Sequence, residues 1–160
     1  MTPVVSGFSI SAQRSASYRQ ALPYLREELK RHGFEILCEF RVDSALERET
    51  GLNRAHLGVP WQDYTVLVVW IPAEICHALV SDRDGGLLVP LNVCVAGDNA
   101  STVAAVINHY GPLIPRDGPI GIRLVIRDLT RRIYEVLQAF GNKEETSVHR
   151  EVEMLEAQVF

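Results

Sequence analysis

The sequence is poor in the residues that mark secreted, membrane-spanning and zinc-binding proteins. It has three cysteines without CxxC spacing, and no apolar run approaches the ~20 residues that a membrane span requires. Its first residues lack the charged and apolar regions of a signal peptide. These absences predict a cytoplasmic protein whose three thiols are reduced and buried in the core.

Charge and motifs exclude further classes of function. The net charge of -4 argues against a general electrostatic interaction with nucleic acid or with an anionic membrane. The Gly85-Gly86 pair precedes a predicted strand and lacks the Gly-Lys-Ser/Thr of a phosphate-binding loop, and the motifs of serine hydrolases and zinc proteases are absent from the sequence. We therefore assign no catalytic residue and no metal ligand, and the cofactor stays unknown.

The sequence does contain enough apolar residues for a substantial core. A length of 160 residues and 47% hydrophobic content predict one α+β domain, with a mixed or mostly antiparallel sheet of about five strands covered by helices. Its central unit, from Tyr64 to Ala96, has the pattern strand, short helix, strand. The run from Tyr64 to Ile71 is unbroken in its apolar character, which predicts burial on both faces, and the helix after Pro72 should direct Val80 inward.

The flanking segments supply the other predicted elements. Strands are predicted at 4–11, 34–42 and 102–107, and helices at 18–32 and 44–50. Gly33 is the predicted cap after the first helix and Asp43 the predicted cap before the second. The sequence Gly97-Asp98-Asn99 is typical of a hairpin turn.

Residues 113–160 are predicted to form a C-terminal helical extension of a domain at 1–112. A helix from Pro119 carries an apolar stripe at spacings of three and four residues, made of Ile122, Ile126, Leu129, Ile133, Val136 and Phe140. A last, shorter helix is predicted with Val148, Val152, Leu155 and Val159 on one face. Because both apolar stripes must be covered, we predict that these helices form much of a homodimer interface or dock a partner, with Ile133, Phe140, Val152 and Leu155 as anchors. The alternative is that the C-terminal helices cover the sheet of their own subunit.

The polar and aromatic residues of the loops offer two kinds of site. His56 and Trp61 in the loop 53–63, together with Asn92, are the predicted ligand-binding residues of a cleft. The alternative is a redox, haem-binding or metal-binding protein or enzyme that uses Cys94, Cys76 or His109.

Three segments between residues 18 and 112 form a recognisable set: LPYLREELKRHGFEIL, YTVLVVWIPAEICHALV and GGLLVPLNVCV. With the acid-rich short helix after Arg41, they resemble the small bacterial and archaeal family catalogued as domain of unknown function 302. The resemblance implies an α+β fold that forms dimers, and it implies no activity or cofactor. Two positions depart from the family pattern, since Ile71 stands where Asn is common and Leu91 where Cys is common.

The sequence therefore predicts a homodimeric α+β domain that binds a small molecule or a protein partner. A non-enzymatic role is favoured over an enzymatic one because no catalytic constellation accompanies the predicted core. Nucleic acid and membrane are not expected among the partners.

Overall fold

The computed structural model describes residues 3–5, 9–51, 61–81, 90–107 and 120–141. In chain order, the elements in these ranges are β1 (Val4–Val5), β2 (Ser9–Arg14), α1 (Tyr18–Arg31), β3 (Glu35–Arg41), α2 (Val42–Thr50), β4 (Asp63–Trp70), α3 (Pro72–Ser81), β5 (Leu91–Gly97), β6 (Thr102–Ile107) and α4 (Ile120–Phe140). The predictions for the Gly85-Gly86 turn and for the final helix after residue 148 lie outside the described residues.

The strands form one sheet in the order β1-β2-β6-β5-β4-β3, and each described pairing is antiparallel. The α+β fold predicted from the sequence is therefore confirmed. The predicted turn between β5 and β6 is also present, because the Asp98 carboxylate accepts hydrogen bonds from the backbone N–H groups of Ala100 and Ser101 at 2.7 and 2.8 Å. These two bonds lower the pKa of Asp98, since they stabilise its charged form.

Helix α1 lies on one face of this sheet. Leu22, Leu25 and Leu29 are buried as their spacing predicts. The helix begins at Tyr18 and continues through Pro23. Gly33 has a φ of 83°, and the N–H of Phe34 donates to the Leu29 carbonyl at 2.9 Å, which together make the predicted glycine cap.

Helix α4 packs against α1, β2 and β6, and all six apolar residues of its predicted stripe are buried. Ile133 and Phe140 are 3% and 0% exposed in the single chain, so these side chains offer no surface to a second subunit, and their prediction as interface anchors is corrected. One hydrophobic core contains residues from both sides of position 112. Val152 and Leu155 lie outside the described residues.

The C-terminal end of α4 is held by two side chains from earlier elements. Arg14 donates to the Phe140 carbonyl at 2.9 Å, and the Tyr24 hydroxyl donates to the Ala139 carbonyl at 3.1 Å. The Arg14 guanidinium also lies 3.9 Å from the centre of the Tyr24 ring, a cation–π contact that positions both groups. These bonds satisfy carbonyls that a helix end leaves without intrahelical partners.

Three local predictions differ from the structure. Strand β4 is buried on one face only, because its residues alternate between buried and half-buried. Asp43 does not precede α2 as a cap; it lies inside the first turn, where it pairs with Arg41. Val80 is 89% exposed on α3 because this last turn directs it to solvent.

Candidate functional site

The sheet has one face that is not buried by α1 and α4. Phe40, Val66, Cys94, Ala105, Ser11 and Val4 are successive cross-strand partners, so their side chains form a row across the whole sheet. The same pairings place Tyr64, Ala96 and Val103 in a second row and Cys38, Val68 and Asn92 in a third. We call the surface formed by these rows, with Ile107 at its rim, the open face.

The open face is mostly apolar. Phe40 is 52% exposed, Val103 37% and Ile107 39%, whereas Tyr64 and Val66 in β4 are half-buried. The side chains on the opposite face, such as Leu67 and Val93, are fully buried. An apolar sheet face that is partly exposed in this way typically marks an interaction site.

Two aromatic rings and a thiol meet at one end of the open face. The rings of Trp61 and Tyr64 have centroids 4.8 Å apart and are tilted by 50°. Burial, and after it a hydrogen bond with the Cys94 thiol, raise the pKa of Tyr64 to about 12. The phenol is therefore neutral near pH 7, so it provides a hydrogen-bonding group and an apolar ring rather than a base.

The structure separates two of the predicted ligand-binding residues. Trp61 contacts Tyr64, which pairs with Ala96, whereas Asn92 pairs with Val68 four residues farther along β5. Four residues of strand correspond to about 14 Å, so Trp61 and Asn92 do not line one small cleft. Asn92 is exposed on the open face, and His56 lies outside the described residues.

The predicted thiol site is also divided. Cys94 lies on the open face, whereas Cys76 is on α3, which packs against α4 on the other side of the sheet. Cys38 and Cys76 are exposed, which corrects the prediction that all three thiols are buried in the core. His109 lies outside the described residues, and among those that are described no three His, Cys, Asp or Glu side chains are placed to hold a metal ion.

The two departures from the family pattern are core positions. Ile71 and Leu91 are 5% and 3% exposed, and both belong to the hydrophobic core. An apolar side chain thus fills the place where a thiol is common, and Leu91 supplies no reactive group there.

A polar cluster at the end of β4 was not predicted. Arg41 makes two hydrogen bonds to the buried Asp43, one of them of 3.0 Å from Nε, and a third of 3.1 Å to Asp63. Nearby, the hydroxyls of Tyr18 and Thr65 lie 2.5 Å apart, and burial raises the pKa of the Tyr18 phenol. These contacts join β3, α2, β4 and α1, so the cluster stabilises the junction.

Arg131 and Arg132 of α4 form ion pairs with acidic residues of the same helix. Arg132 bonds to Asp128 at 2.5 Å and Arg131 to Glu135 at 3.2 Å. Burial alone would raise the pKa of Asp128, but the hydrogen bonds from Arg131 and Arg132 outweigh it and lower the pKa. These pairs make a charged outer surface on α4 rather than a site for phosphate.

Comparisons with known proteins agree with the fold. The family described as "Domain of unknown function DUF302" matches residues 10–140, which includes α4 as well as the segment that carries the sequence resemblance. A solved structure, the uncharacterized conserved DUF302 protein from Bacillus stearothermophilus, superimposes with a TM-score of 0.69 at 21% identity, over 86% of this chain and 100% of the other. No curated protein sequence matches the chain. No helix in the described ranges has the length and apolar character to cross a membrane.

Proposed function

Since the chain belongs to the DUF302 family, whose name carries no activity, we propose from the structure that it is a homodimeric binding domain and that its open face binds a second copy of the chain. The observation that carries this proposal is the exposure of Phe40, Val103 and Ile107 on a face whose centre is apolar. Covering that face removes apolar surface from water, which is the main favourable term in protein association.

The size of the open face supports a second copy as the occupant. Strands β2 to β6 are six to eight residues long. Five such strands present a face of roughly 20 by 20 Å, and its accessible area exceeds this projection because the side chains are rough. A standard interface buries about 800 Å² per partner, so covering the whole face gives a contact of the right order.

The chemistry of the open face supports binding rather than catalysis. Tyr64 keeps its proton near pH 7, and Cys94 lies beside it without an activating cation among its described cross-strand partners, Val66 and Ala105. The proposal places the protein in the cytoplasm, where Cys38, Cys76 and Cys94 stay reduced.

The proposal is tested by solution mass with matched charge substitutions. The wild type should show twice the chain mass of 17.9 kDa. Val103→Asp should raise the dimer dissociation constant at least about 100-fold, because an isologous interface would bury the unpaired carboxylate twice. Val80→Asp is the control, since this valine is exposed on α3 away from the open face.

Each outcome decides the proposal. A wild-type monomer over the micromolar range would refute it. If Val80→Asp dissociates the dimer and Val103→Asp leaves it intact, the interface lies on the helical side of the sheet. If the wild type forms an assembly with a different protein and Val103→Asp abolishes that assembly, the open face binds that protein and not a second copy of the chain.

A small ligand is the second candidate occupant, and Trp61 is its proposed contact. The ring of Trp61 packs on Tyr64 at the end of the open face, where an aromatic ligand would meet two rings. Titration with the fluorescent apolar dye ANS should then give a signal that Trp61→Ala reduces and Trp70→Phe leaves unchanged. Equal signals from both variants would remove the ligand role from Trp61.

A further inference from the structure

In its first row, from Phe40 to Ala105, the open face has a bulky half on β3 and β4 and a small half on β5 and β6. In the first two rows, the residues of β3 and β4 are large: Phe40, Val66 and Tyr64. In β5 and β6 the first-row residues Cys94 and Ala105 are small, and so is Ala96 in the second row, whereas Val103 at the β6 end of the second row is as large as Val66. The boundary between the two halves runs between β4 and β5, along the direction of the strands.

This division restricts how two open faces can meet. A two-fold axis that relates two facing sheets lies between the sheets and parallel to them. If the axis runs across the strands, the bulky halves of the two subunits face each other, and the two small halves face each other across a gap. If it runs along the strands between β4 and β5, each bulky half meets a small half, and the packing is uniform.

We infer that the two subunits pack with their open faces related by a two-fold axis along the strands, between β4 and β5, so that Phe40 of one copy contacts Ala105 of the other. The inference rests on the proposed homodimer. In this arrangement β3 faces β6 and β4 faces β5, so Val66 meets Cys94 and Tyr64 meets Ala96. The strands of the two sheets lie within about 30° of each other, as in aligned sheet packing.

The test exchanges a large and a small residue across the interface. Phe40→Ala should weaken the dimer because it removes the side chain that fills the space above Ala105, and Ala105→Phe should weaken it because two large rings then compete for that space. We expect each single variant to raise the dissociation constant about tenfold, and the double variant to restore it to within about threefold of wild type.

The matched control places the large residue in a different row. Ala96→Phe should also weaken the dimer, but Phe40→Ala should not rescue it, because Ala96 is expected to face Tyr64. Ala105→Leu with Phe40→Ala gives the same comparison with a smaller insertion. Circular dichroism of each variant checks that the monomer is folded.

The results separate the orientation from the dimer itself. Rescue by the Phe40→Ala/Ala105→Phe pair, without rescue of Ala96→Phe, supports the axis along the strands. A dimeric wild type in which the double variant is as weak as the weaker single variant overturns the orientation and leaves the proposed function standing. A monomeric wild type refutes both.

Discussion

Truncating Phe140 tests whether α4 belongs to the core of the subunit. Its side chain is fully buried beside α1, and its carbonyl accepts a bond from Arg14 that a substitution leaves in place. Burial of a phenylalanine side chain removes on the order of 150–200 Å² from water, which contributes about 4–5 kcal/mol at roughly 25 cal/mol per Å². Because alanine retains part of this term and a cavity adds to the loss, Phe140→Ala should lower the free energy of unfolding by about 3–5 kcal/mol.

Urea unfolding measures this loss. With an m-value of about 2 kcal/mol per molar, the midpoint should fall by roughly 1.5–2.5 M. Phe140→Leu, which conserves most of the volume, should lose about 1 kcal/mol, and Ile120→Ala should change stability by less than about 0.5 kcal/mol because that residue is exposed at the start of the same helix. An unchanged midpoint for Phe140→Ala, or loss of the dimer with no loss of monomer stability, would refute the assignment of Phe140 to the core.

Two further predictions concern the phenols of Tyr18 and Tyr64. Tyr18→Phe should lower the free energy of unfolding by about 1 kcal/mol in the same urea assay, because it leaves the buried Thr65 hydroxyl without its phenol partner. Adding Thr65→Val should recover most of that loss. Additive losses from the two substitutions would contradict the pairing. The ultraviolet titration component that Tyr64→Phe removes should have a midpoint near pH 12, and a midpoint near pH 10 would contradict the burial. Because the pKa of Tyr64 is raised in the fold, its contribution to stability is present in full below pH ~10 and is lost between pH ~10 and ~12.

The sequence predicted the elements whose signals are local. The spacing from Ile122 to Phe140 identified α4 and its buried stripe, and Gly33 and Asp98 identified a helix end and a turn through their own backbone and side-chain chemistry. These features depend on residues that are close in the chain, so a single sequence is sufficient to find them.

Features that depend on distant parts of the chain were not predicted correctly. The apolar stripe predicts that Ile133 and Phe140 are covered, but it does not indicate which chain covers them. In the structure, both are buried within their own subunit. The apolar run of β4 does not distinguish a strand buried on both faces from one with an open face. Trp61 and Asn92 were grouped by residue type, whereas strand register places them about 14 Å apart.

The central claim, that a second copy covers the open face, can be measured on the wild-type protein with its own cysteines. Peptide-level mass spectrometry gives the labelling rates of Cys94 on the open face and of Cys76, which is exposed on α3. We expect the Cys94 rate to fall as protein concentration rises through the range in which the solution mass doubles, while the Cys76 rate stays constant. A Cys94 rate that does not change across that range would contradict the claim.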